Sequence, residues 1–273
     1  MTRFGVALEI TPPRESRPEV LLRRARLLGE GADAVHVIQR PDRQRSVDAA
    51  LELERCGIAA VWHLVNRGRE RADLEREIER AARGGLRAAL LVRGEAGPPE
   101  PIPPPTLASL VTRVRAAIPG ARIGVTLNPY GPREQALANL WPKLDAGAAF
   151  VQTQPIFETA ALAPLAEAIR ARAPAVRIVP MLIPLLSAAA AERLGERLRV
   201  PLPRRLLERL ENGGEPAGWD ALAELVAALR ASGLADSLAL MTQEADPPKA
   251  FGERIAAALG DSAPGHSRLA SSP

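Results

Sequence analysis

Eight short apolar runs, each separated from the next by a longer amphipathic stretch, constrain this chain more than any other feature. The runs are RFGVALEI, DAVHVI, IAAVWHLV, LRAALLV, ARIGVTLN, AAFVQTQ, VRIVPMLI and SLALMT. They read as buried strands. Between them lie RPEVLLRRARLLGEG, SVDAALELERCG, ADLEREIERAARGG, PTLASLVTRVRAAI, REQALANLWPKLDAG and TAALAPLAEAIRARA, which carry helical periodicity and mostly stop at glycine. A strand followed by a helix, repeated around eight strands, predicts a parallel (β/α)8 TIM barrel. After the seventh run, SAAAAERLGERL, PLPRRLLERLENGG and GWDALAELVAALRASG predict extra helices before the eighth strand. We expect one catalytic barrel domain over residues 1–260 and a mobile tail over 261–273. The proline-rich stretch at 94–106 is expected to be extended.

The 273 residues suffice for one large core, and 47% hydrophobic with 25% charged residues is ordinary for a globular chain. The net charge of +4 invites a nucleic-acid reading, but the arginines are interleaved with glutamates and aromatics are only 3%. Neither clustered base nor stacking surface is present, so no nucleic-acid partner is expected. No apolar run is long enough to span a bilayer, and MTRFGVALEI does not resemble a signal peptide, so cytoplasm is the expected compartment. A single cysteine, Cys56, excludes a disulfide framework, and no histidine pair has ligand spacing, so no metal is expected. GxGxxG, P-loop and HExxH motifs are lacking, which excludes a Rossmann-held nicotinamide.

In such a barrel the chemistry sits at the C-terminal ends of the strands. Side chains alternate along each strand, so Phe4, Val6 and Leu8 face the helices while Gly5, Ala7 and Glu9 face the barrel axis. Glu9 then stands at the mouth above two small residues, which would leave room for a flat group. The same parity groups Gln152 with Gln154, Thr126 and Asn128 with Gly124, and His63 with Val61, with Trp62 opposite; Glu95 follows the fourth strand. Carboxylates, amides and an imidazole without an evident nucleophile suit the edge of a pterin or purine ring, which both donates and accepts. His36 and His63 also fit as core histidines satisfied by backbone, and His266 lies in the tail.

Several motifs in order resemble the methylenetetrahydrofolate reductase family. EITPPR resembles its glutamate and paired prolines after strand one, WHL its histidine ending strand three, and LVRGE its Leu-Arg-Gly-Asp after strand four. KLDAGAAFVQTQPIF resembles its Lys-Val-Asp-Ala-Gly-Ala segment leading to Thr-Gln, and VPMLIP its strand-seven Pro-Gly-Ile-x-Pro. The resemblance implies a barrel enzyme that reduces 5,10-methylenetetrahydrofolate to 5-methyltetrahydrofolate. It implies that Glu9 is the catalytic acid and that Gln154 reads the substrate. Gln152, Asn128 and Glu95 are expected beside it on the substrate, and His63, Thr126 and Lys143 on the nicotinamide. Burial should raise the Glu9 pKa toward working pH.

Departures from the family concern its flavin. Glu95 replaces an aspartate, Asn128 replaces the aromatic ending strand five, Ala136 replaces another aspartate, and the segment from NPYG to NLWPK is short, while Asn139 and Lys143 are retained. The pattern resembles flavin-independent members, which pass hydride from NADH or NADPH straight to the substrate, so FAD is expected to be absent. The alternatives are the same reaction through FAD, or a silent barrel that binds folate or a partner. A homodimer is expected by analogy with the family.

Overall fold

The computed structural model describes residues 4–94 and 104–260. Its eight strands are β1 (Gly5–Ile10), β2 (Ala34–Val37), β3 (Ala60–Val65), β4 (Ala88–Val92), β5 (Arg122–Leu127), β6 (Phe150–Pro155), β7 (Arg177–Leu182) and β8 (Ser237–Met241). All pair in parallel, in chain order, and β8 closes onto β1. Every apolar run of the sequence supplies one of them. The helices α1 (Pro18–Ala25), α2 (Ser46–Arg55), α3 (Arg71–Arg83), α4 (Leu107–Ala117), α5 (Arg133–Asp145) and α6 (Ala163–Arg172) fill the first six crossovers. Two further helices, α7 (Ala188–Leu198) and α8 (Arg204–Ser232), lie between β7 and β8, and α9 (Lys249–Ala258) follows β8. Helix α8 is broken at Gly214, whose φ of 55° and ψ of −143° leave the helical region, so the Gly-Gly pair in the sequence marks a real division. Glu95 and the tail 261–273, like most of the proline-rich stretch, fall outside the described residues.

Alternation along the strands builds two cores. Outward residues such as Val6, Leu8, Trp62 and Leu64 are buried in the layer between sheet and helices. Inward residues Val61, Ala88, Leu90, Phe150, Val179 and Ala239 fill the barrel axis, and Ala7, Ala34 and Val92 pack against them. This axial layer corrects one expectation. The space beneath Glu9 is no open floor for a flat ligand, because the ring of Phe150 and its neighbours occupy the axis. Gly5 is small for a local reason: a Cβ there would lie 3.1 Å from Asp33 and 3.3 Å from Ser237. Gly124 has a sharper one, since a Cβ would fall 2.1 Å from the Phe150 ring. A ligand therefore has to sit above Glu9.

Strand β6 departs from regular alternation. Gln152 pairs with Val179 of β7, but Pro155 pairs with Met181, so β6 carries one residue more than its partner across that interval. Such a bulge re-aims the side chains around it. The buried Thr153 hydroxyl fills the gap: it accepts from the Met181 N–H at 3.2 Å and donates to the Gln154 carbonyl at 2.6 Å. Pro155, which has no N–H to give the ladder, closes the irregular stretch.

Candidate active site

Glu9 is 4% exposed, near the C-terminal end of β1. Strand register places His36 of β2 on one side of it and Met241 of β8 on the other. His63 comes from β3, with its Nε2 3.8 Å from Glu9 Oε2. From across the barrel, Gln152 Nε2 donates to the same carboxylate oxygen at 2.7 Å. Four strands distant in sequence thus bring an acid, two imidazoles and a carboxamide into one buried group.

Burial sets the protonation of this group. It raises the Glu9 pKa from 4.5 to about 7, against the smaller opposing effects of the Gln152 hydrogen bond and the positive charge of Arg40. Burial likewise lowers His36 to about 4, helped by the charge of Arg122 and opposed by the nearby Gln152 carboxamide. His63 is held well below its usual 6.5 by burial and then by His36. Near neutral pH both imidazoles are uncharged, so the short distance between His63 and Glu9 is no ion pair. The site holds a carboxyl group that exchanges its proton at neutral pH, framed by neutral groups.

His63 Nε2, His36 Nδ1 and Gln152 Oε1 are buried without a hydrogen-bond partner. Buried polar atoms of this kind are normally satisfied, so these three atoms have capacity for a water or a polar ligand. One ligand atom each from Glu9, His36 and His63 lie within 4.8 Å of one another, an arrangement that sequence spacing does not reveal and that could hold a cation. A Glu9 that holds a cation cannot hold the proton, so the two uses of the carboxyl exclude each other.

The remaining expected residues are spread around the mouth. Gln154 is half-buried beside the β6 bulge, one residue beyond Thr153. Thr126 lies on β5 opposite Gln152 in register, and its carbonyl accepts from Lys143 Nζ at 3.3 Å. Lys143 therefore reaches the β5 edge from α5 in the outer layer. Burial and then the charge of Arg93 lower its pKa. Asn128 is exposed, and its Oδ1 accepts from the Tyr130 N–H at 3.0 Å, capping the turn that leaves β5.

Sequence reasoning missed three contributors. By sequence His36 fits as a core histidine, although its parity with Ala34 on β2 points it inward. Arg40, whose charge acts on Glu9, lies on the loop after β2, where alternation gives no guide. Tyr130 is drawn across to β6, its hydroxyl donating to the Pro155 carbonyl at 2.6 Å. Next to the polar groups, Phe157, Met181 and Met241 are half-buried in an apolar cluster with Ile183 and Leu185, Met241 standing level with Glu9. The mouth thus offers hydrogen-bonding groups beside adaptable sulfur and aromatic surface.

The sequence matches the family model described as Methylenetetrahydrofolate reductase over residues 2–247. A curated protein of Caenorhabditis elegans, "Probable methylenetetrahydrofolate reductase (NADPH)", is 26% identical over 271 residues, covering 86% of this chain and 40% of the relative. The chain therefore spans about two fifths of that relative's length. An uncharacterized protein from Clostridium thermocellum that binds two copies of 5-methyl-5,6,7,8-tetrahydrofolic acid has the same fold, with a TM-score of 0.66, 16% identity and 94% of each chain covered. Tryptophan synthase from M. tuberculosis gives a TM-score of 0.54 at 12% identity, covering 95% of this chain and 91% of that one. At such identities the likeness speaks to the fold alone. Among the described residues no helix is long and apolar enough to cross a membrane.

Proposed function

Because the chain belongs to the methylenetetrahydrofolate reductase family, we propose that it reduces 5,10-methylenetetrahydrofolate to 5-methyltetrahydrofolate by direct hydride transfer from NADH or NADPH, without flavin. One observation carries the reading: a buried carboxyl at the barrel mouth whose pKa is raised to about 7. The substrate's methylene carbon is bridged between two nitrogens and accepts hydride poorly. Proton transfer from Glu9 to one nitrogen breaks its bond to that carbon and leaves an iminium cation on the other. Hydride then adds to the carbon and gives the methyl group. The carboxylate left behind stabilises the cation while it lasts. Gln152 holds Glu9 by its hydrogen bond, and neutral His36 and His63 add no positive charge to oppose the cation.

The β5 edge supports transfer without flavin. A flavin needs a broad stacking surface, and the residue ending that strand is Asn128, whose side chain is occupied in capping a turn. The Tyr130 ring is tethered toward β6 by its hydroxyl. These residues do not fit an isoalloxazine ring, so no step is assigned to one. The nicotinamide takes the vacated side, near Thr126 and His63, and the substrate ring is read by Gln154, with Gln152 beneath.

The test is oxidation of NADH or NADPH by the purified protein with methylenetetrahydrofolate, with and without added FAD. Direct transfer requires both substrates bound at once, with the reacting atoms about 3–3.5 Å apart. Double-reciprocal lines should then intersect, and FAD should change nothing. Parallel lines together with stoichiometric flavin released on denaturation would point to the same reaction through FAD. No turnover under any condition would end the enzymatic reading in favour of a silent binding barrel.

A further inference from the structure

Beside Glu9, on the outer rim over β1 and β2, the fold gathers arginines at a density that their local partners do not explain. The loop after β1 and the loop after β2 are tied together by the Gln44 N–H, which donates to the Pro13 carbonyl at 2.9 Å. Beneath this joint lies Arg24 of α1. Its side chain is only 10% exposed, and its Nη1 donates to the carbonyl of Thr11, two residues past Glu9, at 2.8 Å. Arg43 lies close enough for its charge to act on Arg24, and Arg23 adjoins on the same helix. Arg14 and Arg40 stand on the two loops above.

Two aspartates face these groups, and neither neutralises the rim. Asp246, from the loop after β8, makes a two-point hydrogen bond with Arg23 and stays 3.8 Å from Arg24 Nε. Asp42 is mostly exposed and lies 3.5 Å from Arg43 Nε and 4.0 Å from Arg14 Nε. The Nε atoms of Arg24 and Arg43 are both buried without a hydrogen bond. Gathering like charges where water is partly excluded is unfavourable unless an anion shares the space. Burial of Arg24, and the repulsion of Arg43 and Arg23, lower its pKa in keeping with that strain, against the pull of Asp246.

We propose that this rim binds the multiply charged anionic tail of a substrate whose ring lies over Glu9. The exposed Arg14 and the partly buried Arg43 present the donors, and Arg24 supplies fixed charge from below. The inference rests on the reductase reading for its choice of tail: both reactants of that reaction carry one. The tail is either the phosphates of the dinucleotide or the glutamate carboxylates of the folate, and guanidinium groups suit both. Arg40 links the rim to the chemistry, because its charge already reaches Glu9.

The experiment uses Arg14→Ala and Arg43→Ala, singly and together, in the full chain. Arg14 is mostly exposed and meets Asp42 at 4.0 Å, so its removal leaves the fold unstrained. KM and kcat are measured for NADH, NADPH and folate substrates bearing one or several glutamates, and inorganic tripolyphosphate binding is followed by calorimetry. The double variant should raise KM about tenfold for the substrate whose tail is held, with kcat changed less than about twofold, and should weaken tripolyphosphate binding. A rise for both dinucleotides assigns the diphosphate, a rise for NADPH alone the ribose phosphate, and a rise for polyglutamyl folate alone the carboxylates. Unchanged KM values for all substrates in a folded variant overturn the inference while leaving the reductase reading intact. A wild-type protein without reductase turnover fails the reading, and calorimetry then decides the anion site: wild-type binding lost in the variant supports it, and absence of wild-type binding overturns it.

Discussion

Replacing Glu9 by glutamine should make the protein more stable and nearly inactive, and the stability gain should depend on pH. The folded-state pKa of Glu9 is about 7, against 4.5 for the free carboxyl. Below about pH 4.5 the group is neutral in both the folded and unfolded chain and stability is unaffected. Between about 4.5 and 7 the unfolded chain gives up its proton while the folded chain keeps it, so stability falls as pH rises. Above about pH 7 both forms are ionised and the loss is complete. A shift of this size corresponds to about 3 kcal/mol, at about 1.4 kcal/mol per pKa unit. Glutamine carries no charge at any of these pH values and still offers an oxygen to the Gln152 N–H. The variant should therefore match wild type near pH 4.5 and exceed it by about 3 kcal/mol at pH 8, or about 5–10 °C in Tm.

In the proposed mechanism the same substitution removes the proton donor, so turnover should fall by about a hundred- to ten-thousand-fold with a much smaller change in substrate binding. In the wild type, kcat should decline about tenfold per pH unit above pH 7 as Glu9 ionises. Thermal melts of both proteins across pH 4.5–8.5, beside steady-state rates, test the two halves together. Stability curves that run parallel over that range would mean that Glu9 does not titrate there. Near-normal turnover in the variant would remove Glu9 from the chemistry altogether.

Gly124→Ala should destabilise the barrel by about 1–3 kcal/mol, because the new methyl group meets the Phe150 ring in the axial core; a double variant with Phe150→Leu should recover much of the loss in urea titration, and additive losses would refute the clash. Thr153→Val should leave the Met181 N–H without its acceptor, lower stability by about 1–2 kcal/mol and raise the folate KM as Gln154→Ala does, whereas Thr153→Ser should restore both. A folate KM indifferent to Thr153→Val would separate the bulge from substrate reading. Glu77→Ala should cost about 2 kcal/mol, since this buried carboxylate accepts from both Arg45 and Arg69 and joins the loops after β2 and β3; unchanged denaturation midpoints would show those contacts to be idle.

How much of this molecule is legible in its sequence depends on which rule each residue obeys. Strands and helices follow from hydrophobic period, a local property, and all eight strands fall on the apolar runs. Glu9 and its inward aim follow from strict alternation along β1, and the same rule places His63 with Val61 and Trp62 opposite. Alternation also shows that Gly5 and Ala7 are small on the inner face, but not why. For Gly5 the reason comes from the neighbouring strands, where Asp33 before β2 and Ser237 of β8 crowd the position, and Ser237 lies far away in the chain. Residues whose place is set by closure of the sheet are hidden in the same way. Nothing near position 36 announces that His36 will stand beside Glu9, because only the pairing of β1 with β2 brings them level.

Departures from a rule are harder still to read. Alternation puts Gln152 and Gln154 on one face, and the structure inserts an extra residue between Gln152 and Pro155 relative to β7. The two glutamines are thereby given different tasks. Gln152 remains in the regular ladder and donates a hydrogen bond to the Glu9 carboxyl. Gln154 lies within the irregular interval, half-buried, and its backbone carbonyl accepts from the Thr153 hydroxyl. A regular strand would stack the second amide directly over the first, where both would compete for Glu9. The irregular interval lets one short segment, QTQP, both hold Glu9 and carry a second amide, which the proposed mechanism assigns to the substrate ring. The sequence does carry a sign of this, in a proline at the end of a strand that must pair on both sides, and its meaning becomes plain only from the register with β7.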